Sequence, residues 1–297
     1  MILSVETVSV SERFGDERAF ELIKEAGFDG VDYSFYWCKN RENPLLFDDY
    51  RERAESLRKK LDELGLVCYQ AHAPFSLKYD TPKDDPQWIE LERSLEFASI
   101  LGVKTIIVHS FAIPIEKRYD IDFVKFNLDF YKSLQPLCER FGIKIGVENL
   151  FIKDKQHKRI LSRLGYPYEM NYFMAQLDPK YFTVCVDIGH AALTDDAADY
   201  IRRVKHGSIG ALHVQDNDYL DDRHILPFMG VQNWEDIISA LAESGYDGDF
   251  TLEVFKFLRA YPDAMVPNTL RFACEIGRYL IGRLEEKRAE LGSVETL

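Results

Sequence analysis

Seven side chains able to bind a metal or move a proton recur along the chain: His72, His109, Glu148, Asp187, His190, His213 and Glu253. Setting His190 aside, the successive intervals are 37, 39, 39, 26 and 40 residues. Each of these six positions ends or follows a short apolar or β-branched run. One strand-plus-helix unit takes about 30 residues or more, so each residue belongs to a different unit, at the same end of its strand. In a parallel barrel those ends converge on one mouth. Carboxylates and imidazoles gathered in a partly buried place, without basic partners, must be hydrogen-bonded, neutralised or bound to a cation. Glu148, Asp187, His213 and Glu253 make an oxygen-rich set with one nitrogen. Such a set suits one Mn2+ or Mg2+ best, with Zn2+, Co2+ or Fe2+ also admissible. Further histidine ligands shift the balance towards zinc. Singly, each residue has an ordinary explanation as a hydrogen-bonded histidine, a helix cap or a surface charge. Their recurrence in successive units carries the reading.

The elements that must position these residues alternate. Strands are expected at Leu3 to Val8, Gly30 to Ser34, Val67 to Ala71, Thr105 to His109, Lys144 to Glu148, Thr183 to Asp187, Gly210 to Val214 and Phe250 to Val254. Several are apolar almost throughout, which suits parallel strands covered on both faces. Longer segments of helical period fill the gaps, and Gly27, Gly65, Gly102, Gly142 and Gly245 stand where helices should stop. The irregular stretch from Asn217 to Gln232 and the basic stretch from Ile152 to Tyr166 follow strands and are expected as long loops. No linker divides residues 1–297, so the expected architecture is α/β, a single (β/α)8 TIM barrel. A frayed tail is expected from about residue 290.

Composition narrows the function. The formal net charge is −13, with 20 Phe and 16 Tyr and 46% hydrophobic residues. A disordered chain lacks such aromatics, and a nucleic-acid or anionic-membrane binder needs a basic footprint. The five cysteines are scattered without a CxxC pair, so no disulfide framework or zinc ribbon is indicated. The opening MILSVETVSV has no basic n-region or long apolar core, and no run is long enough for a membrane span. A cytoplasmic location is expected. There is no GxGxxG after the first strand, no P-loop and no GxSxG elbow, so no organic cofactor is expected.

The stretches AHAPF from Ala71, VHS from Val108, GVENL from Gly146, CVDIGHA from Cys185, HVQDNDYLDDRH from His213 and TLEVF from Thr251 carry a family resemblance. The opening GFDGVDYS from Gly27 fits it too. The chain resembles the xylose isomerase-like barrel superfamily of sugar isomerases, sugar epimerases and inosose dehydratases, which also contains the endonuclease IV type of AP endonuclease. The resemblance implies that Glu148, Asp187, His213 and Glu253 bind one divalent cation. It implies that Glu148 and Glu253 flank the substrate carbon as an acid–base pair, and that His190 hydrogen-bonds a substrate oxygen or acts as a ligand. The cation would hold a carbonyl and adjacent hydroxyl while a proton moves beside the carbonyl. A sugar or polyol substrate and a homo-oligomer are further implications.

Two rivals come from the same superfamily. His72, His109, Asp222 and His224 complete nine positions that resemble the three-zinc constellation of endonuclease IV, with Asp222-Arg223-His224 as its Asp-x-His. The stretch from His213 instead favours the sugar branch, where a similar Asp-x-His occurs. It departs from the usual pattern at Tyr219, where glycine is usual, and at Val231-Gln232, where a second glycine is missing. Net charge also opposes a DNA enzyme, which must neutralise several phosphates. The other rival is an inosose-type dehydratase, in which the enolate expels hydroxide. Lys153, Lys155, Lys158, Arg159 and Arg163 form either a solvated basic face or a clamp for phosphate or carboxylate. Among aromatics near strand ends, Phe75, Phe111, Phe255 and Trp234 are expected to wall the pocket, as sugar rings present apolar faces.

Overall fold

Thr105–Ile107 and Phe182–Asp187, runs without polar alternation, are strands buried along their whole length. The computed structural model describes residues 1–35, 44–75, 77–117, 119–154 and 159–294. Among these, the strands in chain order are β1 (Leu3–Glu6), β2 (Gly30–Ser34), β3 (Val67–His72), β4 (Thr105–Ile107), β5 (Lys144–Glu148), β6 (Leu150–Asp154), β7 (Arg159–Arg163), β8 (Phe182–Asp187), β9 (Ile209–His213) and β10 (Phe250–Leu252). The helices are α1 (Val8–Phe14), α2 (Asp16–Ala26), α3 (Tyr50–Leu64), α4 (Gln87–Leu101), α5 (Phe123–Phe141), α6 (Pro167–Met174), α7 (Ile188–Thr194), α8 (Ala197–Arg203), α9 (Trp234–Glu243), α10 (Phe255–Arg259) and α11 (Val266–Val294).

Eight strands form one parallel sheet in the order β10-β1-β2-β3-β4-β5-β8-β9. The ring closes between its ends at Val214. Its N–H donates to the Thr251 carbonyl at 2.8 Å, and its carbonyl accepts from the Glu253 N–H at 3.0 Å. The fold is thus the single (β/α)8 barrel that the alternation predicts. The five helix-ending glycines all adopt positive φ, from 61° at Gly65 to 103° at Gly27. A side chain at that φ would strain the turn that aims each helix back at the barrel. Apolar faces of the helices cover the strands in one core, with Tyr33 stacked on Phe97 and Phe20 at its edge.

Several boundaries differ from expectation. The first strand ends at Glu6, because Thr7 donates its N–H to Asp32 and then caps a short helix through its carbonyl. Val8, read as the end of the strand, is instead a buried residue of α1, as is Val10. The fourth strand stops at Ile107, two residues before His109. The basic stretch is an antiparallel hairpin, β6 on β7, with Phe151 opposite Ser162 and Lys153 opposite Ile160. Its alternating residues pair with each other outside the barrel. The short helix α7 follows β8 directly, started by Asp187, whose side chain accepts the His190 N–H at 2.7 Å. The last helix continues to Val294, past the point where fraying was expected. Tyr36, Trp37, Cys38, Lys155, His157 and Lys158 lie outside the described residues, as does the end of the tail from 295. Among the described residues, no helix is long and apolar enough to cross a membrane.

Candidate active site

Beside a set that joins Cys185 to Glu148 and His213, the C-terminal strand ends and the loops beyond them bring all nine metal-competent residues into three groups, of which the first two share Glu148. These are His72, His109 and Glu148; then Glu148, Asp187, His213 and Glu253; then His190, Asp222 and His224. Within each group the donor atoms lie within 4.8 Å of one another. Glu148, at the end of β5, joins the first two groups. One of its oxygens is 2.6 Å from His109 Nε2, and the other is 3.0 Å from His213 Nδ1. Glu253, just past β10, joins the second and third, at 3.5 Å from His213 Nδ1 and 3.4 Å from His224 Nδ1. His224 Nε2 and Asp222 Oδ2 are 2.8 Å apart.

Backbone carbonyls fix three of the imidazoles. Nδ1 of His72 donates to the Ala73 carbonyl, Nδ1 of His190 to Asn149, and Nδ1 of His224 to Glu253, each at 3.1 Å. A carbonyl can only accept, so each Nδ1 carries its hydrogen and each Nε2 faces the gathered groups. His213 is turned the other way. Its Nδ1 faces Glu148, while Nε2 lies 3.4 Å from Asp32 Oδ2. That carboxylate suits it to hold the lone pair on Nδ1.

The electrostatics are those of a cation site. Burial would raise the Glu148 carboxyl, yet His109, His213 and His72 together hold it well below the usual range. Burial raises Glu253 well above its ordinary value, and Asp187 and Glu148 add like-charge repulsion. Burial pushes His109 down to about 3. His190 moves up to about 10, where Asp187 and Asp222 outweigh its burial. Among the described residues, the ion partners of Glu148, Asp187, Asp222 and Glu253 are all histidines. One Glu253 oxygen is buried without a hydrogen-bond donor. Buried carboxylates in this excess need positive charge, and the oxygen and nitrogen donors fit a hard or borderline divalent ion.

Other side chains hold the donors in place. Asn149 grips both backbone groups of Asp187, donating to its carbonyl at 2.9 Å and accepting its N–H at 2.7 Å. Gln215 is fully buried; it accepts the His224 N–H at 2.9 Å and donates to Asp222 at 2.8 Å. A Cβ on Gly189 would come within 2.3 Å of the Gln215 amide, so only glycine lets the two approach. Asp216 ties down the loop between β9 and α9. It accepts from Trp234 Nε1 at 2.8 Å and from the N–H groups of Asn217 and Phe228 at 2.8 and 3.0 Å. Asp216→Ala is expected to cost about 3 kcal/mol, since it strands several buried donors at once. Urea unfolding measures this, and Asp216→Asn should fall between the two. Tyr219, where glycine is usual, has φ 62°, and His224 has φ 41°. The loop therefore keeps the left-handed geometry without the expected glycine, at some strain.

A cavity of about 120 Å3 opens onto this cluster. Phe75, stacked on His109 at 4.1 Å, and Phe255, stacked on His224 at 4.1 Å, wall it. The other expected pocket residues do not line this cavity. Trp234 is buried beneath the loop as an Asp216 partner. Phe111 packs on Phe130 and Phe126 of α5 and lines an adjoining cavity that Phe75, His109 and Arg163 also line. Lys153 forms an ion pair with Asp221, and Arg163 donates to the Ser110 carbonyl; neither lines the cavity over the cluster. Cys185 is a buried core thiol, raised to about 12 chiefly by desolvation.

The sequence reading missed Glu6, Asp32 and Arg259, which line the same cavity. Glu6 ends β1 by the same strand-end logic as the others. Extending that strand to Val8 hid it. Burial raises its carboxyl to about 7.

A (β/α)8 barrel whose mouth gathers four carboxylates and five imidazoles defines a class of metal-competent barrel proteins. The chain belongs to the xylose isomerase-like TIM barrel family, whose model matches residues 20–273. It is 26% identical over 251 residues to L-ribulose-5-phosphate 3-epimerase UlaE of Salmonella heidelberg, covering 82% of this chain and 84% of that protein. It is 28% identical over 189 residues to an uncharacterized protein of Methanocaldococcus jannaschii, covering 61% of this chain; the match spans 62% of that protein. A D-tagatose 3-epimerase-like protein shares the fold with a TM-score of 0.76 at 21% identity, covering 97% of this chain and 99% of that one. D-psicose 3-epimerase does so with a TM-score of 0.70 at 17% identity, covering 95% and 100%.

Proposed function

We propose that this protein is a divalent-metal-dependent sugar epimerase or isomerase that moves a proton beside a carbonyl. The observation that carries the proposal is the pair Glu148 and Glu253, brought from β5 and β10 onto one imidazole edge, His213 Nδ1, at 3.0 and 3.5 Å. Glu148, Asp187, His213 and Glu253 would hold the cation. A divalent cation bound there supplies Lewis-acid polarisation of a substrate carbonyl and its neighbouring hydroxyl. One carboxylate takes the proton from the carbon beside the carbonyl, leaving an enediolate. The other, protonated, returns a proton to the opposite face and inverts the centre. Return to the adjacent carbon exchanges ketose for aldose instead. Glu253, whose burial favours the protonated form, suits the donor role. His190 Nε2, turned towards Asp222, suits a hydrogen bond to a substrate oxygen. Phe75 and Phe255 close the sides and exclude water.

One observation favours a second reading. Three donor groups, with Glu148 shared, suit three zinc ions and phosphodiester cleavage. The charge of −13 weighs against a DNA substrate. Assaying the Mn2+-loaded and Zn2+-loaded protein with ketopentoses, ketohexoses, inososes and an abasic duplex separates the readings. Interconversion of epimers is expected. Strand cleavage with no sugar turnover contradicts the proposal, and loss of water from an inosose points to the dehydratase.

A further inference from the structure

Two buried carboxyl oxygens in the cavity have no role in the scheme above. Glu6 and Asp32 pair in register on neighbouring strands β1 and β2. In the strand order these lie across the barrel from β5 and β8, which carry Glu148 and Asp187. Glu6 is 2% exposed and Asp32 1%. One Glu6 oxygen accepts from Ser9 Oγ at 3.1 Å, and one Asp32 oxygen accepts from Gln70 Nε2 at 2.7 Å. The second oxygen of each is buried without a donor, and both residues line the cavity beside Glu253. An unmet buried acceptor is costly, so a ligand filling the cavity should bring donors to this side.

We infer that Glu6, with Asp32 beside it, is the hydroxyl-recognising edge of the site, and that the substrate is a sugar carrying a free hydroxyl, not a phosphate, at the end against β1 and β2. A hydroxyl donates to each waiting oxygen. A phosphate offers only acceptors and negative charge to two acids. Among the described residues, Arg259 is the sole Lys or Arg lining the cavity, and its Nη2 is 2.7 Å from Glu12. Of the basic clamp candidates whose side chains are described, Lys153 pairs with Asp221 and Arg163 donates to the Ser110 carbonyl, and neither lines this cavity. The relative UlaE acts, by its name, on a 5-phosphate; the inference parts from it on that point.

The inference rests on the epimerase reading, so binding and turnover are measured separately. The Mn2+-loaded protein is titrated calorimetrically with a free ketose and with the same ketose phosphorylated at its terminal carbon, and both are assayed for epimerisation. The free ketose is expected to bind at least about tenfold more tightly. Glu6→Leu is expected to raise its KM about 10- to 100-fold with kcat nearly unchanged, while Glu6→Gln, which keeps donor and acceptor, stays within about tenfold of wild type. Circular dichroism confirms that each variant is folded. Preference for the phosphate, or an unchanged KM in folded Glu6→Leu, overturns the inference and leaves the epimerase reading standing. Tight binding of the free ketose without turnover, weakened by Glu6→Leu, upholds the inference and overturns the epimerase reading. Binding of neither sugar overturns both.

Discussion

Glu253→Gln is expected to lower kcat about 10³-fold while leaving the protein folded. The amide keeps the size of the side chain and one acceptor but cannot exchange a proton, and a positioned acid or base contributes roughly 10² to 10⁴ in rate. The fold should tolerate the change. Burial, with Asp187 and Glu148 nearby, already favours the neutral form of this carboxyl, so a neutral amide costs the fold no buried charge. The melting temperature of the metal-free variant should therefore match or exceed that of the wild type. Glu148→Gln is expected to be as inactive for a second reason. Its carboxylate meets both His109 and His213, at 2.6 and 3.0 Å, so it serves two donor groups at once. Metal affinity should fall with activity there. Stopped assays on both variants, with calorimetric metal titration, check the pair. Turnover close to wild type in either removes the two-carboxylate scheme.

Stripping divalent metal is expected to have a comparable effect. Dialysis against a chelator should lower kcat at least about 100-fold, because one carboxylate alone must then stabilise charge that a cation would share. Adding Mn2+ should restore it. The same experiment has a stability readout. A ligand at a hundredfold excess over its Kd stabilises the native state by about 2.7 kcal/mol. For a chain of this size that raises Tm by several degrees. The sign follows from the acids. Glu148, Asp187, Asp222 and Glu253 gather at the mouth, and among the described residues only histidines offset them. Undiminished activity after chelation, with unchanged Tm on adding metal, would remove the metal from the account. Elemental analysis of the reconstituted protein counts how many of the three donor groups fill.

The strand-end residues were legible because a parallel barrel converts sequence interval into shared position. His72, Glu148, Asp187 and His213 each close a strand, and their placement follows from topology alone. Asp222 and His224 were legible only through the Asp-x-His pattern, since they sit on a loop whose path depends on Asp216, Gln215 and three positive-φ residues, Tyr219, His224 and Phe228. Periodicity says nothing about such a path. Trp234 shows the limit from the other side. Its position after the loop suggested a sugar platform, but the indole N–H found a buried carboxylate, and that fixed the ring beneath the loop. The hairpin β6–β7 was hidden by its charge: Lys153, Arg159 and Arg163 masked an alternation that becomes pairing. Glu6 was hidden by a boundary, because Thr7-Val8 continues a β-branched run whose hydrogen bonds have already turned to helix.

The most direct test of proton transfer beside a carbonyl is NMR of the product formed in D2O by the Mn2+-loaded protein from a ketose it turns over. The account predicts one solvent deuterium at the inverted carbon of each product molecule, with no loss of water and no incorporation by Glu253→Gln. Product formed without solvent deuterium at that carbon, or deuterated equally well by the variant, would contradict it.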